Sequence, residues 1–262
     1  MAYAPLMFAR PRSQALRWLC LWGALLSLAA PAQELQLRTV QQSGSLVKYD
    51  TEGSPQRPGL CLEVMRAVER ADPGLHFTGT EQQVPLKRVE RLLADGLIDV
   101  FFCLLRSPER EKQWRYVPLP LYTIRHVVVQ RVDDARAIDS LSDLTALSRQ
   151  RPVLVTRGTA LAQRLQAAKV AVAEVSSERE ALQMLVLGRA DAIYGQDINL
   201  LRHIGDSKLG DRLKFSRTVF QEEAQYLAIR SDLPMAYEER LSAALRKLDR
   251  DGTLRQLTEK YR

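Results

Sequence analysis

Residues 92–122 read LLADGLIDVFFCLLRSPEREKQWRYVPLPLY, and the first part of this stretch has an echo later in the chain. Leu93-Ala-Asp-Gly96-Leu-Ile-Asp99-Val100 is matched by Leu185-Val-Leu-Gly188-Arg-Ala-Asp191-Ala192. Each copy gives a last apolar helix residue, two spacers, a glycine, two more residues, an aspartate and then an apolar strand. A glycine there ends a helix in the left-handed conformation at no steric cost. The aspartate is expected to serve structure by bonding nearby backbone in the turn. The repetition predicts two lobes built alike. The almost wholly apolar run Asp99–Leu105 is predicted to be a parallel strand covered on both faces.

After that strand, Ser107-Pro108-Glu109-Arg110 has the signature of a helix start: a capping hydroxyl, a proline where an N–H is not needed, and an acid in the first turn. Free N–H groups at the carboxyl end of a buried strand suit an anion, and a guanidinium fork suits a carboxylate. A plainer reading competes with this, in which Ser107 only caps a helix and Arg110 forms an ordinary ion pair.

Upstream, Leu35–Val40 alternates as a strand, followed by a polar connection from Gln41 to Gly59 that holds Tyr49. Leu62, Val64, Met65, Val68 and Ala71 line a helix that Asp72-Pro73-Gly74 ends, and Leu86, Val89, Leu92 and Leu93 line another. Strand, helix, strand, helix, strand is the order of an α/β sheet. Downstream, Val127–Gln130 is a strand leaving the first lobe, and Ser140 with Asp143 opens a helix. Val153–Thr156 is a strand that ends at Arg157-Gly158-Thr159. Ser177-Glu178-Arg179-Glu180 is a capping box. Asp191–Tyr194 is a strand, and Gly195-Gln196-Asp197 turns into a helix from Ile198 to Ile204. Gln225–Ile229 carries the chain back, and two amphipathic helices, with Leu241, Ala244, Leu245 and Leu248 and then Leu254, Leu257 and Tyr261, are expected to dock on the first lobe. Two crossings imply a hinge.

The N-terminus is read as an export signal: Arg10, Arg12 and Arg17 precede an apolar run from Trp18 to Ala30, with cleavage expected after Ala32. Those three arginines are part of 38 basic residues set against 31 acidic ones, so the mature chain keeps a charge of about +4. That modest excess, spread over helices where arginines sit beside acids (Arg66/Glu69/Arg70, Arg88/Glu90/Arg91), gives no case for nucleic acid. Cys61 and Cys103 remain after cleavage. They are either paired, as an oxidising compartment permits, or two small buried hydrophobes. His76, His126 and His203 have no metal-ligand spacing, and no phosphate loop is present.

The mature chain resembles the periplasmic solute-binding proteins of the amino-acid-binding family that serve ABC transporters. The similarity is carried by Gly59-Leu-Cys-Leu-Glu63 at a helix start, Gly96 to Asp99 followed by Ser107-Pro-Glu-Arg110, Gly158-Thr159, Gly188 to Ala192, and Asp251 to Leu254. The resemblance implies a two-lobed type II periplasmic binding fold, each lobe a mixed sheet flanked by helices. Residues 1–32 would be the signal, 33–128 and 225–262 lobe 1, and 129–224 lobe 2. It implies a monomer without cofactor or metal that closes on a small carboxylate-bearing or polar amino-acid-like solute and docks on an inner-membrane permease. Carried over, the ligand contacts are Ser107, Arg110, Gly158 and Thr159, with Tyr49, Arg157, Gln196 and Asp197 beside them. Two departures point away from a standard amino acid. The usual Gly-x-Thr element is replaced by Leu104-Leu105-Arg106, and Gln196 stands where an aspartate commonly meets the ligand amino group, with Asp197 one position later. Relatives with dehydratase activity make a cleft acid, Glu222 or Glu223, the alternative suspect, against their plain reading as solvated loop acids. A sensory role is the third possibility.

Overall fold

The computed structural model describes residues 1–2, 34–50, 53, 55–157 and 159–262. The expected export signal, its cleavage point and Gly158 lie outside the described residues. Glu34–Arg262 form one compact unit. Among the described residues no helix is long and apolar enough to cross a membrane.

The chain runs β1 (Leu35–Arg38), β2 (Gln41–Gln42), α1 (Leu60–Ala71), β3 (Leu75–Thr78), β4 (Gln83–Val84), α2 (Leu86–Ala94), β5 (Val100–Leu105), α3 (Pro108–Glu111), β6 (Trp114–Tyr116) and β7 (Tyr122–Arg131). It continues through α4 (Leu141–Ser148), β8 (Val153–Thr156), α5 (Ala160–Ala167), β9 (Val172–Val175), α6 (Glu178–Val186), β10 (Ile193–Gln196), α7 (Asp197–Asp206), β11 (Leu213–Phe215), β12 (Gln221–Arg230), α8 (Met235–Arg250) and α9 (Thr253–Lys260).

Two long strands join the lobes. The first half of β7 pairs antiparallel with the first half of β12, Tyr122 opposite Gln225 and His126 opposite Gln221. Beyond that point β7 pairs with β10 and β11, while β12 pairs with β5 and β6. β10, β8 and β9 run parallel to one another. One core gathers side chains from β1, α1, β3, β5, α8 and α9, including Leu37, Leu60, Met65, Leu75 and Leu245. Two further cores lie on opposite faces of β7, β8 and β10, one around Leu182, Leu185 and Leu200, the other around Leu144, Val155 and Leu165. Each such large side chain taken from water stabilises by about 1.5–3 kcal/mol. The C-terminal helices dock on α1 as expected: Tyr261 Oη accepts from Gly59 N–H (2.9 Å) and lies 2.7 Å from Glu63 Oε1.

Several local rules hold. Gly96 (φ 67°) and Gly188 (φ 70°) are both left-handed at their helix ends. Gly59 has φ 114°, and a Cβ there would fall 2.4 Å from the Lys48 carbonyl oxygen, so only glycine lets α1 start against that backbone. Ser107, Ser140 and Ser177 each accept from the N–H three residues on.

Other expectations need correction. The ladder that β5 makes is antiparallel, to β12; its apolar run reported two covered faces and carried no information about its neighbour's direction. The helix after Ser107 is a single turn of four residues, because Trp114 and Tyr116 leave it to form β6 against β12. The aspartates of the echo are structural, but through arginines rather than turn backbone. Asp99 accepts from Arg38 N–H (2.8 Å), Arg38 Nε (3.0 Å) and Arg230 Nε (2.8 Å), pinning β1 and β12 to the start of β5. Asp191 is ringed at 3.3–3.6 Å by Arg131, Arg136 and Arg151.

Cys61 and Cys103 are joined by a disulfide, their Cα atoms 6.1 Å apart. Cys103 sits at φ 64° where β5 carries one extra residue against β12, Leu104 facing Tyr226 but Phe101 facing Ala228. This is a bulge that re-aims the carbonyls at the end of the strand.

Candidate functional site

Near the end of β5 several carbonyls accept from side chains. Phe102 O accepts from Tyr49 Oη (3.1 Å), Cys103 O from Lys48 Nζ (2.8 Å), and Leu105 O from both Arg110 Nη1 (2.8 Å) and Tyr116 Oη (2.9 Å). Tyr49 is therefore a core residue of lobe 1, buried with its ring beside Phe101. Ser107 caps α3 by accepting from Arg110 N–H at 3.4 Å.

Arg110 is placed at this corner with its fork occupied. Nε and Nη2 both donate to Glu90 Oε1, at 3.1 and 2.6 Å, and the ion pair is largely buried. Glu90 also pairs with the exposed Lys87 through Oε2, at 3.1 Å. Glu90 stands between Arg88 and Arg91 in sequence, but α2 turns it inward onto a partner 20 residues away. Arg106 is drawn aside: it pairs with Glu111 and stacks over Tyr116 and Tyr226, 5.6 and 5.2 Å from the ring centres.

Lys48 was not singled out from sequence. Burial first, and the neighbouring Arg110 charge second, pull its ammonium down to about 7. The one available signal was a lysine set between Val47 and Tyr49, residues that a packed segment would bury.

On the second lobe the expected residues lie where β8 and β10 end. Thr159 is the residue before α5, and its Oγ1 donates to Thr156 O (2.7 Å), leaving the first turn of α5 without a side-chain cap. Arg157 is exposed, with its backbone N–H bonded to Val175 O. Gln196 ends β10 and accepts from Asn199 Nδ2 at 3.3 Å. Asp197 opens α7, is buried, and accepts from the Arg125 backbone N–H of the hinge strand at 3.0 Å, with Arg262 4.0 Å away. Ser107 and Arg110 thus share one corner of lobe 1, while Thr159, Arg157, Gln196 and Asp197 share the strand ends of lobe 2.

The two lobes also meet directly. Asp50, buried on the connection before α1, receives Arg202 Nη2 of α7 at 2.9 Å. On the hinge, Glu222 and Glu223 are strand residues of β12 rather than loop acids. Glu222 is exposed and pairs with Arg125. Glu223 lies 3.1 Å from buried His126 Nε2 and 3.9 Å from Arg164, and His126 holds its carboxyl below the usual carboxylate range despite burial. Gln225, fully buried between Leu105 and Tyr122, has both amide atoms without a partner among the described residues. Such a group costs about 1–3 kcal/mol unless something supplies a bond. A separate hollow of about 400 Å³ lies beside α1, walled by Gln41, Asp50, Leu62, Met65, Glu69 and Phe77. Of its acids, Asp50 is engaged by Arg202 and Glu69 by Phe77 N–H.

No protein-family model and no curated protein sequence matches the chain. Solved structures do. A histidine kinase sensor domain described as similar to periplasmic binding proteins superposes with a TM-score of 0.70 at 19% identity, over 87% of this chain and 96% of that one. An ancestral arginine-binding protein bound to arginine gives 0.66 at 22%, over 86% and 97%. An ancestral amino-acid-binding protein described as a precursor of cyclohexadienyl dehydratase gives 0.66 at 22%, over 86% and 95%. With two lobes, two crossing strands and these neighbours, the chain has the two-lobed α/β fold of the amino-acid-binding periplasmic proteins.

Proposed function

We propose that the protein is the exported, monomeric substrate-binding component of an ABC transporter, closing its two lobes over a small carboxylate-bearing solute and presenting it to an inner-membrane permease. The ligand lies between the Ser107, Arg110 and Lys48 corner of lobe 1 and the Arg157, Thr159 and Gln196 strand ends of lobe 2. Lobe 1 spans 33–128 and 225–262, and lobe 2 spans 129–224. The observation that carries the ligand class is a charge imbalance. Lys48 and Arg110 lie close enough for their charges to interact, and of the two only Arg110 pairs with a carboxylate among the described residues, that of Glu90, whereas the nearest candidate for a ligand ammonium, Asp197, is held by the hinge backbone. An anion is favoured over an amino-acid zwitterion.

The enzyme reading gains little from Glu223. A carboxyl kept ionised by His126, with Arg164 beside it, is a poor proton donor near neutral pH.

A bound ligand stabilises by mass action, by about 2.7 kcal/mol at a hundred times its Kd. In a thermal-shift screen of propionate, benzoate, glutarate, L-glutamate and L-arginine against their amides, at least one carboxylate is expected to raise the melting temperature where its amide does not. Arg110→Ala, which releases Glu90 into the corner, is expected to abolish that rise. A rise unchanged in Arg110→Ala places the ligand elsewhere, and product formation from any hit restores the enzyme reading.

A further inference from the structure

The resemblance assigns the anion clamp to Arg110, yet in this chain that fork is already spent. Two of its nitrogens share one oxygen of Glu90 and a third is bound to Leu105 O. The Arg110–Glu90 pair is close to neutral as a unit. Lys48 differs. Its hydrogen-bond partner is a carbonyl, Cys103 O at 2.8 Å, and among the described residues no carboxylate forms an ion pair with it. An ammonium has three donors, so two remain after the Cys103 bond.

The position of that ammonium is fixed from several sides. The bulge in β5 and the left-handed Cys103 turn the accepting carbonyl toward Lys48. The disulfide ties Cys103 to Cys61 in the first turn of α1, and Cys61 N–H in turn donates to Lys48 O at 3.1 Å. Tyr49, the next residue, is anchored to Phe102 O. A desolvated, pre-positioned cation with no carboxylate partner among the described residues is a costly arrangement for stability alone, and an arriving anion relieves the cost.

We propose that Lys48, not Arg110, supplies the charge contact for the ligand, with Arg110 a positioning residue that keeps Glu90 away from the ammonium, so that the site takes a small carboxylate without needing an amino group on it. This rests on the ligand class proposed above. The charged neighbour of Lys48 is Arg110 on α3, whose guanidinium Glu90 on α2 occupies; Tyr49 and Tyr122 are both pushed up by burial and stay neutral.

The experiment is calorimetric titration with propionate, benzoate, glutarate and L-glutamate, the last two differing by one amino group. Glutarate is expected to bind at least as tightly as L-glutamate. Lys48→Met is expected to weaken carboxylate binding about tenfold to a hundredfold, the loss of one hydrogen bond to a charged group. In the unsubstituted protein, affinity is expected to be greatest at about pH 6, where the probes are ionised and Lys48 is protonated, and to fall by up to about tenfold per pH unit above 7, because a neutral Lys48 must take up a proton as the anion binds. Tight binding in Lys48→Met, or a flat profile from pH 6 to 9 in the unsubstituted protein, overturns the role of Lys48 while leaving the ligand class standing. Failure of all four probes to bind the unsubstituted protein overturns both.

Discussion

Replacing Cys61 and Cys103 together by alanine is expected to lower the free energy of unfolding by about 4 kcal/mol, the chain-entropy value for closing a loop across a sequence separation of 42. Both residues are fully buried, so the lost sulfurs add a small packing cost. Urea unfolding of the protein, with and without a thiol reductant, checks this. The midpoint is expected to fall on reduction and to be insensitive to reductant in the double variant. A midpoint that reductant leaves unchanged in the unsubstituted protein removes the cross-link from the account. Because Cys103 O holds Lys48, the same variant is also expected to bind carboxylates more weakly.

Asp99→Asn is the second large effect. Asp99 takes four hydrogen bonds, three from Arg38 and one from Arg230, and joins β1, β5 and β12 at one point. Losing its charge is expected to cost on the order of 2–3 kcal/mol, the scale of hydrogen bonds to an ionised group. Burial pushes this carboxyl up, but the Arg38 side chain and backbone N–H, with both arginine charges, outweigh burial and hold it below its ordinary value. The sign follows from that direction. A depressed carboxyl contributes stability above its unfolded value, about 3.9, and the contribution disappears as pH falls through the lower folded value. Acid unfolding of the protein is therefore expected to steepen below about pH 4, and Asp99→Asn to lack that part of the slope. Equal acid profiles for the two proteins would falsify the role given to Asp99.

These two sites also show what was legible in the chain. The Gly96 and Gly188 echo could be read because a left-handed helix end constrains the residue locally, and both glycines have that conformation. The partners of Asp99 could not be read, since Arg38 and Arg230 lie 61 and 131 residues away. The same limit acted at the site. The cap at Ser107 is a three-residue matter and was visible. The capture of Arg110 by Glu90 depends on how α2 rotates against β5, which no local pattern encodes. The cross-link between Cys61 and Cys103 was one of two open readings, because pairing needs a distance rather than a spacing. Hinge strands were underestimated for a related reason: β7 runs from Tyr122, and its first residues alternate buried and part-exposed side chains that are hard to tell from a connection. β6 and β9, at three and four residues, are too short for their periodicity to stand out.

The central claim is that a small carboxylate closes the two lobes about the hinge formed by β7 and β12. Small-angle X-ray scattering of the protein, alone, with saturating carboxylate taken from the thermal-shift screen, and with its amide at equal concentration, tests it most directly. The radius of gyration is expected to fall with the carboxylate and to stay unchanged with the amide. An identical radius in all three samples, or an equal fall with the amide, contradicts the claim.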